Sequence, residues 1–186
     1  MALLLVAAMS LAAPAATRAE NVTVPVGLQA ELLFMVAGHD RNLPARGGGV
    51  VRTLILTKAT DDSARCAAQF KKVAVARLAV AGLPHSVEVA SFTTASALAQ
   101  ECRARHLAII YLTPGFTGAE VAAMGQALEG CSVLTVSASP AMVKRGAVLG
   151  FDLVSGRAKL LFDPTQAAKQ RVGFGADVLG LMTVPR

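Results

Sequence analysis

Apolar positions recur three and four apart at Leu28, Leu32, Leu33 and Val36, and that spacing predicts a first helix over VGLQAELLFMVAGHD, ending near Gly38. RNLPARGGG, polar and glycine-rich, then reads as a loop. At residues 50–57, VVRTLILT, the pattern changes to an almost continuous apolar run, as expected of a strand covered on both faces. Residues 61–82 return to helical spacing, with acidic residues at the start and glycine at the end. SVEVASF predicts the second strand, TTASALAQECRARH a helix, and LAIIYLT, residues 107–113, the third strand. The next helix spans residues 117–130 and opens on a capping box of Thr117 and Glu120.

CSVLTVS, residues 131–137, predicts the fourth strand. Ser139 stands where it can cap a short helix, PAMVKR, that starts on Pro140. GAVLGFDLVS and RAKLLFD then read as a hairpin turning at Ser155-Gly156, where glycine supplies a positive φ. Asp163-Pro164 starts another helix by the logic of Ser139-Pro140, and the tail reads as helix, extended link and helix. Alternating strand and helix predict a single α/β domain. It is an open, Rossmann-like three-layer sheet, mostly parallel, with right-handed crossovers and a C-terminal antiparallel hairpin.

The chain opens on MALLLVAAMSLAAPAATRAEN. Its apolar run is too short for the ~20 residues of a membrane span. It reads as a secretory signal peptide, residues 1–19, with Thr17 and Ala19 in the small-residue positions before the cut, although no Lys or Arg follows Met1. The domain is then 20–186, and the expected location is the periplasm.

The protein carries 18 Lys and Arg against 12 Asp and Glu, a formal net charge of +6. A basic balance suits an acidic partner or an ordinary basic soluble protein equally. One Tyr and no Trp leave little with which to stack bases, and export removes the genome, so no nucleic-acid partner is expected. The cysteines are Cys66, Cys102 and Cys131, with no CxxC and no histidine at zinc spacing. In an oxidising compartment Cys66 and Cys102 can pair if their helices share a face of the sheet; three small buried residues is the alternative.

In an open α/β sheet ligands bind at the carboxyl ends of the strands. Those ends carry Thr57, Lys58, Thr113, Gly115, Ser137 and Ser139, each just before a helix N-terminus, and so outline a crevice for a small anion. Read blandly, they are helix caps. The sequence has no GxSxG, HExxH or GxxxxGK[ST], and His39, His85 and His106 lack partners at catalytic spacing. No catalytic residue, cofactor or metal is expected.

From residue 107 onward the order of motifs resembles the YfiR-type (YfiR/HmsC-like) family of periplasmic regulators. The matching pieces are AIIYLTPGF, CSVLTVSAS, RGAVLGFDLVSGRAKLLFD and PTQAAKQRVGFGADVLGLMTV. Asp163 stands where the family usually has Asn, Phe174 where it has Ile, and Val178-Leu179 where it has a Leu pair. LQAELLFMVAGHDRNL resembles the family's first helix without its aromatic F..W signature. The resemblance implies an α/β domain, often dimeric, that docks on the extracytoplasmic part of an inner-membrane diguanylate cyclase and holds it inactive. Cyclic-di-GMP and biofilm output would follow. It also implies that small ligands or disulfide redox state can set activity.

The expected docking surface is the hairpin region with Lys144, Arg145, Arg157 and Lys159, together with the exposed face of the first helix. A solvated edge that discourages sheet-to-sheet aggregation is the competing explanation of these charges. The runner-up function is a small-anion receptor serving a transporter or sensor kinase. An exported enzyme ranks last.

Overall fold

The computed structural model describes residues 23–185, so the leader expected at residues 1–19 lies outside the described residues. The helices are α1 Val26–Ala37, α2 Leu43–Gly47, α3 Asp61–Ala76, α4 Ala95–Arg105, α5 Gly118–Ala127, α6 Pro164–Lys169 and α7 Ala176–Leu179. The strands are β1 Val51–Thr57, β2 Ala79–Val80, β3 Leu83–Ser91, β4 Ile109–Leu112, β5 Leu134–Ser137, β6 Leu149–Val154, β7 Arg157–Phe162 and β8 Met182–Thr183. A 3-10 turn, Pro140–Arg145, joins β5 to β6.

One eight-stranded sheet runs in the order β2-β3-β1-β4-β5-β6-β7-β8. Strands β3, β1, β4, β5 and β6 are parallel, and β6–β7 is the antiparallel hairpin the sequence predicts. Ser155 and Gly156 both take positive φ, 51° and 74°, which is why two residues suffice to reverse the chain.

Side chains alternate across the buried strands and build two cores. Val51 and Ile55 of β1 and Ile109 and Tyr111 of β4 face α1, α3 and the tail. Leu54, Leu56, Ile110 and Leu112 face α4 and α5. The first core centres on Tyr111, whose ring stacks on Phe70 with centroids 3.9 Å apart. Its hydroxyl donates to Gln29 Oε1 at 2.7 Å, and Gln29 Nε2 donates on to the Val24 carbonyl at 2.7 Å. Among the described residues no helix is long and apolar enough to cross a membrane.

Four expectations are corrected. RNLPARGGG is not all loop: residues 43–47 form α2, with Pro44 in the first turn, where its missing N–H costs nothing. The helix expected over 61–82 stops at Ala76, because Ala79–Val80 folds back on Leu83 and Pro84 through Ala81 and Gly82, at φ 51° and 77°. The tail ends in strand β8, parallel to β7, rather than in helix. Cys66 packs in the core under α3 and Cys102 in the core under α4. The sheet lies between them, so this pair cannot form the expected disulfide, and all three cysteines are free and buried.

Capping also separates two positions that look alike in sequence. Asp163 accepts from the backbone N–H of Thr165 and Gln166 and starts α6 as expected. Ser139 makes no side-chain cap; instead Ser137 Oγ accepts from the Ser139 N–H at 3.1 Å.

Candidate functional site

The carboxyl ends of β1 and β4 form the topological switch point, where an open α/β sheet usually takes its ligand. Here that point is filled from within. Lys58 Nζ reaches Glu120 at 2.7 Å and sits 5.4 Å and 5.7 Å from the centres of the Phe92 and Phe116 rings. Glu120 in turn belongs to the capping box with Thr117, and its ion pair with Lys58 holds its carboxyl below the usual range. Thr113 Oγ1 donates to the Leu56 carbonyl and meets Ser63 Oγ at 2.6 Å, while Ser63 Oγ accepts from the Lys58 N–H. Thr57 Oγ1 donates to the Ala90 carbonyl at 3.1 Å. Gly115 takes φ 103° so that the chain passes against Lys58 and Thr60. Thr57, Lys58, Thr113 and Gly115 therefore meet, as a latch that ties α3 and α5 to the strand ends. Ser137 and Ser139 lie at the end of β5.

The open cationic cavity lies at the opposite, amino end of the strands, and encloses about 760 Å³. Its base is Arg46 of α2, which is buried and bonded to Asp40 at 2.6 Å. Arg46 Nη1 donates to the Ala108 carbonyl, Nη2 to the Arg171 carbonyl and Nε to Ser132 Oγ. Burial pulls its guanidinium below the usual range, against the Asp40 charge that raises it. Two left-handed residues shape the rim: His106, φ 51°, ends α4, and Arg171, φ 53°, follows α6. Arg171 aims its carbonyl at Arg46 and at Asn42 Nδ2, 2.8 Å away. Arg103, His106 and Arg171 line the cavity from exposed positions, and among the described residues no carboxylate lines it. The exposed guanidiniums of Arg103 and Arg171 and the His106 imidazole border this one space, a set that suits a carboxylate or phosphate.

The same wall holds two thiols. Cys102 and Cys131 both line the cavity, and Arg103 Nη1 donates to Cys131 Sγ at 3.3 Å. Burial, then the neighbouring Cys131, push Cys102 up to about 12. Sequence reasoning missed this site because its residues come from α2, the end of α4, the start of β5 and the tail. The readable signal was the basic RNLPARGGG segment, whose Arg46–Gly49 end serves as helix and loop beneath the cavity.

The four basic residues of the expected docking surface come from two elements. Lys144 and Arg145 close the 3-10 turn, and Arg157 and Lys159 lie on β7; all four are exposed. Leu160 and Phe162 point into the first core, so by alternation Arg157 and Lys159 point to the other face, the face on which the 3-10 turn packs over Gly150. The four share one side of the sheet end, with exposed Val154 opposite Arg157 and Asp152 opposite Lys159. Arg145 lies along the start of α5 against Gly118. Among the described residues no group of His, Cys, Asp and Glu is placed to hold a metal.

A family model described as YfiR/HmsC-like matches residues 49–182. No curated protein matches the chain. Among solved structures, a conserved domain protein from Vibrio cholerae O1 biovar eltor strain N16961 superposes with a TM-score of 0.56 at 13% identity, over 89% of this chain. An ABC domain in complex with L-Trp from Streptococcus pneumoniae superposes with a TM-score of 0.51 at 12% identity, over 80%. The chain spans 61% of the length of each. At such identities the likeness is one of fold.

Proposed function

The chain belongs to the YfiR/HmsC-like family, and from that premise we propose that it is an exported regulator that docks on the extracytoplasmic domain of an inner-membrane signalling protein of the diguanylate cyclase type and represses it. The observation that carries this reading is the family match, which runs through the parallel strands, the hairpin and the tail. The family is one of periplasmic regulators of cyclic-di-GMP signalling. The protein acts by differential affinity: it binds one state of its partner better and moves the partner's equilibrium by that difference, with no bond made or broken. The basic side of the hairpin, Lys144, Arg145, Arg157 and Lys159, is the docking face, and an acidic surface complements it.

Capture from detergent-solubilised inner membrane tests the proposal. The tagged protein should retain a membrane-spanning cyclase, and deleting its gene should raise cyclic-di-GMP. Arg157→Glu with Lys159→Glu should weaken capture about tenfold or more, since like charges then face each other. Both side chains are exposed, so the fold should lose no more than about 0.5 kcal/mol. Undiminished capture by the doubly reversed variant removes the hairpin from the interface, and unchanged cyclic-di-GMP removes the repressor role.

The cavity over Arg46 favours a second reading, a receptor for a small anion that serves a transporter or sensor kinase. The two readings combine if the anion sets the affinity for the partner.

A further inference from the structure

Cys102 and Cys131 reach the amino-end cavity from different elements. Cys102 lies in the last turn of α4, and Cys131 stands between α5 and β5. Both line the cavity. Their backbones are tied down. The Leu107 N–H donates to the Cys102 carbonyl at 3.1 Å, where the chain leaves α4. The Cys131 N–H donates to the Leu128 carbonyl at 3.0 Å, and the Gly130 N–H before it donates to the Lys169 carbonyl at 2.9 Å. The two thiols are hydrogen-bonding neighbours. Cys66 lies on the far side of the sheet, where its thiol meets the Tyr111 hydroxyl at 3.5 Å.

The surroundings of the paired thiols decide what they can hold. Burial opposes a charge on Cys102, whereas the guanidiniums of Arg103 and Arg46 favour one. Arg103 Nη1 also donates to Cys131 Sγ at 3.3 Å. Each sulfur thus has a guanidinium near it, and that of Arg46 is fixed in place by Asp40. Among the described residues no carboxylate lines the cavity, and no three side chains of His, Cys, Asp or Glu converge. Calcium and magnesium ask for several oxygens, and zinc asks for a fuller set of ligands than a pair. A soft monovalent ion with a filled d shell needs only two thiolates in line. Such an ion and two thiolates make a complex with one negative charge. Arginines that would repel the bare cation stabilise that complex.

We propose that Cys102 and Cys131 form a two-coordinate site for copper(I). The ion enters through the open cavity and displaces the proton of each thiol. Cu⁺ and two Cys–SH give [Cu(S–Cys)₂]⁻ and two H⁺, with no change of oxidation state, and both protons pass to water. Arg103 and Arg46 balance the charge of the complex. The filled site ties the end of α4 to the start of β5. No hairpin residue takes part, and the inference stands independently of the docking reading.

Anaerobic titration of the reduced full chain with copper(I), in competition with the chelator bicinchoninate, tests the site. One ion per chain should be retained, and X-ray absorption should show two sulfur neighbours and no nitrogen. Cys102→Ser and Cys131→Ser should each surrender the ion to the chelator, and Cys66→Ser should keep it. Zinc(II) in the same titration should not be retained. Arg103→Glu should weaken copper binding about tenfold or more, since it sets a like charge beside the complex, and Arg103→Lys should keep most of the affinity. Arg103 is exposed, so these two variants carry the test even where a buried serine unfolds the chain. Loss of all copper to the chelator by the native protein overturns the proposal. So does an ion retained by a folded variant that combines Cys102→Ser with Cys131→Ser, an ion with a nitrogen neighbour, or an affinity that Arg103→Glu leaves unchanged.

Discussion

Asp40 and Arg46 form an ion pair of 2.6 Å with both side chains out of water. Asp40 Oδ1 also accepts from the N–H of Asn42 and of Gly173, and Asp40 makes an antiparallel bridge with Phe174. The pair joins the end of α1, helix α2 and the tail beneath the cationic cavity. Asp40→Asn leaves a buried guanidinium without its counter-charge, and such breaks cost about 3–5 kcal/mol. Urea unfolding should show that loss, and Asp40→Asn with Arg46→Met should recover much of it. A loss within about 0.5 kcal/mol, typical of surface positions, would mean that Arg46 escapes to water.

Cys66 and Cys102 should be inert in the folded protein. With Cys102 pushed up to about 12, its thiolate is scarce at pH 8, and burial also pushes the Cys66 thiol up. Iodoacetamide at pH 8 should label neither residue until denaturant is added, as read by peptide mass spectrometry. A peptide linking Cys66 to Cys102 from native protein would contradict the placement of the sheet between them.

His85 makes stability depend on pH in a defined direction. Its Nδ1 faces the Arg77 carbonyl at 3.0 Å and its Nε2 meets Thr53 Oγ1 at 2.9 Å. A carbonyl only accepts, so Nδ1 carries the proton and Nε2 accepts from the threonine. Burial lowers its folded pKa below the ordinary 6.5. The unfolded chain therefore binds a proton first as pH falls. The contribution is complete above pH 6.5 and is lost as pH drops through 6.5 toward the folded value. Urea midpoints measured from pH 7.5 to 5 should fall more for the native protein than for His85→Gln. Equal slopes would remove His85 from the account.

The amino-end cavity should take small anions. Inorganic phosphate or a dicarboxylate at a hundred times its dissociation constant would stabilise the fold by about 2.7 kcal/mol. For a domain of this size that is a rise of roughly 5–11 °C in melting temperature. Arg103→Ala with Arg171→Ala should abolish the rise and leave most of the native melting temperature in place. A rise that persists in the double variant puts the anion elsewhere.

The parallel strands were legible because residues buried on both faces read as unbroken apolar runs, as in the all-buried β4, Ile109–Leu112. The hairpin was legible through Ser155-Gly156, a turn signal with glycine in it. The same two-residue turn at Ala81-Gly82 was masked, since alanine rarely takes positive φ and the flanking residues continue a helical pattern. Ser139 and Asp163 both precede proline, yet only the Asp163 side chain accepts from the first helical N–H groups, while Ser139 leads into a 3-10 turn without a side-chain cap. The carboxyl-end residues were identified as a group, but the latch they form depends on Glu120 and two phenylalanine rings brought over by other elements. The cysteine pairing failed for one reason: sequence does not say on which side of a sheet a crossover helix lies.

The hydrogen-bonded relay from Tyr111 through Gln29 to Val24 moors the start of the described chain over the middle of the sheet. A reporter, lipid or fusion partner attached upstream of Thr23 would thus leave the protein from one known spot above the central strand β4.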